Sequence, residues 1–186
     1  ATEFIGYETF SCEASLLHIF DENTEIETAK ANQTVRLIFD RTPFYAESGG
    51  QVADHGIFTL EDAVVNISDC QKIPSGQYVH FGKVMTGQIQ RGQNGTLQID
   101  GARRAAIARN HTAAHLLQRA LRNVLGNHVH QSGQLVDNRR LRFDFNHFEP
   151  LSANELKRIS QEVNDQILSG LPVQICETDI QTAKKR

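Results

Sequence analysis

Cysteine is scarce and unpaired in this chain. Cys12, Cys70 and Cys176 are the only three in 186 residues, they lie far apart, and no two form a Cys-x-x-Cys pair. An odd, sparse count suits a reducing cytosol better than a disulfide framework. Long apolar runs are missing too: no segment approaches the roughly 20 residues needed to span a bilayer. The opening residues, Ala1 to Tyr7, lack the basic and apolar regions of a signal peptide. The expected setting is therefore cytoplasmic, with no membrane partner. The formal charge of -3 gives no global reason to expect nucleic-acid binding. The single methionine, Met85, is internal, and Thr178 to Arg186 reads as a helix start with little to bury. Both ends suggest a piece of a longer polypeptide.

What is present divides near residue 100. Before it the pattern is β, with strand-like runs at Thr9–Phe20, Thr34–Asp40, Gly56–Leu60, Ala63–Gln71, Tyr78–Val84 and Thr96–Asp100. Turn signals at Gly49-Gly50, Pro74-Ser-Gly76 and Gly92-Gln-Asn-Gly95 separate them. Six short strands with no intervening helix predict a small barrel or sandwich. After Asp100-Gly101 the period lengthens to that of a helix, running from Arg103 to Leu125 with Asp100 as N-cap and Gly126 as its stop. A hairpin follows, His128–Leu135 and Arg140–Phe145, in which Leu141, Phe143 and Phe145 alternate with Arg142 and Asp144. Ser152-Ala-Asn-Glu155 is a capping box that opens a second helix ending near Ser169-Gly170, and a strand is expected at Pro172–Glu177. The fold class is α+β, with a β-barrel over residues 1–100 and an α+β domain over 101–186.

Within the long helix, His111 and His115 stand four residues apart. That spacing places both on one face with Cβ atoms about 5–6 Å apart, within reach of a shared divalent metal. They could equally be partly buried core residues or idle exposed ones. A metalloprotease needs Glu directly after the first histidine, and Thr112 occupies that position, so that chemistry is excluded. Zinc needs three or four ligands. His128, His130, His147 and Cys176 are the other candidates, and none completes the site convincingly. Arg103, Arg104, Arg109, Arg119 and Arg122 share this helix, and Arg139, Arg140 and Arg142 follow it. They form either a solvated, ion-paired face or a local surface for phosphates.

Two stretches, Asp40-Arg-Thr-Pro-Phe-Tyr-Ala-Glu-Ser-Gly-Gly-Gln51 and Arg109-Asn-His-Thr-Ala-Ala-His-Leu-Leu117, together resemble the editing region of alanyl-tRNA synthetases, which is shared with free-standing trans-editing proteins. The resemblance continues in order through Gly126–Gly133, Leu141–Phe145 and the helix after Ser152. It implies a small β-barrel followed by an editing domain of the kind shared by threonyl- and alanyl-tRNA synthetases. The implied activity is hydrolysis of mischarged Ser-tRNA(Ala) and Gly-tRNA(Ala), the partner being the tRNA 3′ end carrying Ser or Gly. A pocket that admits alanine rejects glycine and serine only weakly, so a second hydrolytic site is the physical remedy. The implied cofactor is zinc, held by His111 and His115 and by a Cys-x-x-x-His pair falling beyond Arg186. ATP belongs only to the parent's aminoacylation domain, and the parent could be oligomeric.

Other roles follow from the same resemblance. Gln131 matches a glutamine bordering the active site, where a neutral amide can position substrate or water without acting as a base. Many family members carry Thr where this chain has Ala114, and the hydroxyl here is at Thr112, on a different helix face; Thr112 and Gln131 are the candidate catalytic residues. Gly49 and Gly50 lie in a loop expected against the site, where missing side chains allow close backbone approach. Arg109 is a candidate for binding the tRNA end, and Phe44 and Tyr45 are expected to pack the two domains together. A free-standing editing hydrolase and a catalytically silent tRNA-binding module stay open as alternatives.

Overall fold

In the computed structural model, residues 1–172 and 178–183 are described. The first part contains β1 (Glu3–Phe4), β2 (Ser11–Asp21), β3 (Thr24–Ile26), β4 (Thr28–Lys30), β5 (Thr34–Phe39), β6 (Arg41–Thr42), β7 (Gly56–Thr59), β8 (Val64–Lys72), β9 (Tyr78–Thr86), β10 (Gln88–Gln90) and β11 (Asn94–Ile99). Six of them pair antiparallel in the order β11-β7-β8-β9-β5-β2, and β11 returns to β2, closing a barrel. Closure leaves no long unpaired edge in that ring. The 11-residue β2 serves both sides of the closure. Ser11–Ser15 faces β11, Leu16–Phe20 faces β5, and the register shifts between Leu16 and His18.

Alternation explains the filling. In β9, Tyr78, His80, Gly82 and Val84 are buried while the intervening residues are not, and in β11 Gly95, Leu97 and Ile99 do the same. Leu16, Ile19, Leu37, Phe39, Phe58, Val65, Ile67, Val84 and Leu97 are all fully shielded in one continuous core. His80 is buried among them, edge-on to Phe39 and Phe44. Its Nδ1 donates to the Leu37 carbonyl (3.2 Å) and its Nε2 lies 2.7 Å from the Thr42 hydroxyl. Burial pushes its pKa down to about 4, so the ring is neutral.

All six expected strands are present, and the barrel replaces the sandwich alternative. The five extra strands, β1, β3, β4, β6 and β10, have two or three residues each, too few for a period to show. Phe44 is a correction: it lies in the barrel core instead of between domains.

The second part contains α1 (Gly101–Leu125), β12 (Gln131–Val136), β13 (Leu141–Phe145), α2 (Ala153–Leu168) and the short α3 (Ile180–Ala183). Only Asp100 separates the barrel from α1, and it belongs to both. Its backbone N–H donates to the His55 carbonyl (2.7 Å) while its carboxylate accepts from the Arg103 N–H (2.9 Å). The β12–β13 hairpin starts at Gln131, not His128. Around His128–His130, Arg122 Nε donates to the Val129 carbonyl and Asn146 Oδ1 accepts from the His130 N–H, so side chains meet part of that backbone's demand. The Ser152–Glu155 capping box is formed in full. The two longer helices and the hairpin meet around Ala120, Leu121, Val129 and Ile159. The strand expected at Pro172–Glu177, with Cys176, lies outside the described residues after Pro172. Among the described residues no helix is long and apolar enough to cross a membrane.

Candidate functional site

The barrel is joined to α1 by a buried ion pair. Arg104 grips Asp54 through Nε (2.9 and 3.0 Å) and Nη2, and also donates to the carbonyls of Gly6 (2.8 Å) and Pro43 (3.1 Å). Asp54 is 2% exposed and also accepts from the Tyr45 N–H, so its carboxylate anchors the loop between β6 and β7 as well as the helix. Arg103 adds a bond to the Ala53 carbonyl (2.7 Å). Fixing the first turn of α1 in this way fixes where His111 and His115 fall.

The same loop turns sharply at Ser48–Gln51, whose backbones bond to each other in both directions. Gly49 and Gly50 have φ of 58° and 83°, the pair of positive values that a two-residue type I′ turn requires. The turn docks on β12: the Val136 N–H donates to the Gly50 carbonyl (2.7 Å), the Val52 N–H to the Val136 carbonyl (3.1 Å), and Gln134 Nε2 to the Gly49 carbonyl (2.6 Å). A Cβ on Gly50 would stand 2.4 Å from the Gln134 carbonyl oxygen, so close approach as well as φ demands glycine there.

This docking delivers Gln51, which is 7% exposed, to the histidine helix. Its Oε1 lies 2.6 Å from His111 Nδ1. The His111 and His115 rings lie nearly parallel, 10° apart, with centroids separated by 5.2 Å. Burial first, and the neighbouring His115 second, hold the His111 pKa below its ordinary value. An Nδ1–H donated to the amide oxygen leaves the Nε2 lone pair for another partner, the tautomer expected of a metal ligand oriented from behind. His115 is exposed one turn further along.

The structure thus brings the turn that carries Gly49 and Gly50 to His111 through Gln51, with His115 parallel alongside. Thr112 and Arg109 lie on the neighbouring face of α1, where with Leu116, Ile167 and Leu171 they line a hollow of about 630 Å³. Gln131 is exposed at the start of β12, and among the described residues its side chain makes no hydrogen bond. His128 and His147 bond to each other (2.9 Å), and His130 faces Arg122 (3.2 Å). Among the described residues no cluster of three or more His, Cys, Asp or Glu could hold a metal. Sequence reasoning missed Gln51. Its signals were its position directly after the glycine pair and its place at the end of the Asp40–Gln51 stretch.

The barrel is the part of the chain that falls in a known class: the chain belongs to the family of class II (A) tRNA synthetases, which matches residues 1–103. Among curated relatives it is similar to the alanine–tRNA ligase of Acetivibrio thermocellus, 47% identical over 184 residues, 99% of this chain and 21% of that protein. The alanine–tRNA ligase of Bacillus subtilis is 44% identical over 182 residues, 98% of this chain and 21% of that protein. That of Streptococcus agalactiae is 47% identical over 181 residues, 96% of this chain and 20% of that protein. The chain therefore spans about a fifth of the length of these relatives.

Proposed function

We propose that the seam between barrel and α1 is part of a hydrolytic editing site that removes wrongly attached serine or glycine from tRNA(Ala). The observation that carries the reading is the Gln51–His111 hydrogen bond with His115 parallel alongside. The donor set suits zinc: two imidazoles on one helix face, one of them oriented by an amide oxygen and with its pKa lowered by burial. His111 and His115 would hold the metal, the remaining ligands coming from the Cys-x-x-x-His that the resemblance implies beyond Arg186. When bound, zinc with an open position supplies a Lewis acid that can orient the amino acid or lower the pKa of water.

The chain's own residues supply positioning. Gln51 fixes the His111 tautomer and ring plane, and is itself held by the Gly50–Val136 docking. Gly49 and Gly50 turn the loop that carries Gln51, and are proposed to leave backbone bare for close approach of the substrate. Gln131 is proposed to orient the ester or a water as a neutral amide, and Thr112 to present a hydroxyl from the adjoining face. Arg109 is proposed to bind a phosphate of the tRNA end. Ligation of alanine to tRNA using ATP is assigned to other parts of the parent enzyme.

The test is release of serine from Ser-tRNA(Ala), with Ala-tRNA(Ala) as control, by a form continued through the next Cys-x-x-x-His. Selective serine release is expected, lost in the His111→Ala/His115→Ala double variant. Gln51→Ala is expected to retain binding but slow release by about 10–100-fold, the usual cost of removing a ligand's orienting partner. Unchanged turnover in the metal-free double variant would sink the reading, and tRNA binding without release would favour a silent binding module.

A further inference from the structure

On the outside of the barrel, a hollow of about 740 Å³ opens on the other flank of the loop that ends in Gly49-Gly50-Gln51. Its walls come from β1 and the turn after it, from residues 45–48, and from the β8–β9 turn. The chain has three tyrosines, and all three, Tyr7, Tyr45 and Tyr78, line it. Phe4 lies parallel to Tyr78 (centroids 5.5 Å, 3°) and edge-on to Tyr7 (5.1 Å). Tyr7 is 72% exposed, the most open of the rings lining the hollow. Lys72 lies with its Nζ 5.4 Å from the Tyr78 centroid, a cation at the edge of the aromatic wall. Glu47 is the opposing charge on the rim, its carboxylate accepting from Gln71 Nε2 (3.1 Å).

We propose that this hollow binds an unpaired nucleotide of the tRNA acceptor end, upstream of the residue carrying the amino acid. The proposal rests on the editing reading for the identity of the nucleic acid. An open aromatic ring near a cation is the chemistry that holds single-stranded RNA, a base stacking on Tyr7 while the Lys72 ammonium meets phosphate. An acidic acceptor on the rim suits the exocyclic amino group of cytosine or adenine. Placement adds a second argument. Ser48, in the wall of the hollow, is bridged across the glycine turn to Gln51, whose side chain holds His111. The hollow and the histidines thus flank one four-residue turn, so a strand lying across it can occupy both.

Because the chain has no tryptophan, its intrinsic emission comes from tyrosines that all lie at this site. Titration with the single-stranded RNA 5′-ACCA-3′ is expected to change that emission saturably. Tyr7→Leu should weaken binding about tenfold, in line with the loss of one stacking partner. Lys72→Gln should weaken it less and flatten its salt dependence. No change in emission, or unaltered affinity in both variants, would overturn the proposal. Serine release by the continued form separates this inference from the editing reading. Tyr7→Leu is expected to raise KM for Ser-tRNA(Ala) with kcat retained, and normal KM would overturn the role of the hollow. RNA binding with no release by any variant would uphold the hollow as an RNA site and remove only the hydrolytic reading.

Discussion

The barrel and the α+β half are built to different depths. The barrel closes on itself around a core in which most aliphatic and aromatic side chains are fully shielded. Among the described residues of the second half the buried cluster is Ala120, Leu121, Val129 and Ile159, with Leu117, Val124, Phe143 and Phe145 partly open against it. Leu168 and Leu171 are 83% and 63% exposed. The candidate site sits where these unequal parts meet, and its geometry is set mostly from the barrel side. Arg104 is anchored on Asp54, β12 on Gly50, and His111 on Gln51. A well-packed body thereby lends order to a helix that has fewer neighbours of its own.

The contrast can be broken most severely at the seam. Asp54→Ala leaves the Arg104 guanidinium buried without its carboxylate, and is expected to cost about 3–5 kcal/mol in chemical denaturation. Because the Tyr45 N–H loses its acceptor too, the loop and helix should loosen together, seen as faster amide exchange at Gln51 and His111. Next, truncations should report the difference in depth directly. Leu37→Ala is expected to cost about 3 kcal/mol and Leu117→Ala about 1 kcal/mol, since the cost of a lost side chain rises with the cavity it leaves. Equal losses would mean the two halves are equally packed.

Acid should separate them as well. His80 has a folded pKa depressed to about 4 by burial, so the unfolded chain binds its proton more readily. Its contribution to stability is intact above about pH 6.5, falls as pH drops, and levels off below about 4. At pH 5 the loss from this group is about 2 kcal/mol. His80→Gln should remove that component of the pH dependence. An effect as small as that of Leu117→Ala is expected at the turn: Gly49→Ala, with φ of 58° and nothing within 4 Å of its Cβ, should cost about 1 kcal/mol. Gly50→Ala should cost more, because Gln134 blocks it.

What was legible in the sequence was local. Alternation in β9 and β11 marked the barrel, and caps at Asp100 and Ser152 marked helix starts, because each depends on residues a few positions apart. The His111/His115 pairing was equally local. Gln51 was not legible, since its meaning comes from a histidine 60 residues away. Neither was the division between Phe44 and Tyr45: adjacent residues suggested a shared task, yet one fills the barrel and the other faces the outer hollow. His80 falls inside the expected strand Tyr78–Val84, and nothing nearby in sequence shows that Thr42 and the Leu37 carbonyl satisfy its ring.

Asp100 has a mechanical consequence. With no linker between β11 and α1, that residue is a fulcrum and the helix a lever about 37 Å long. His111 rides roughly 15 Å along it, so a tilt of about 5° at the joint would move the imidazole by about 1 Å. Displacements of that size are enough to cost an active site orders of magnitude in rate. Arg104, only four residues from the fulcrum, acts as its brace, and alterations far out on the barrel can be felt at the histidines through this joint as well as through Gln51.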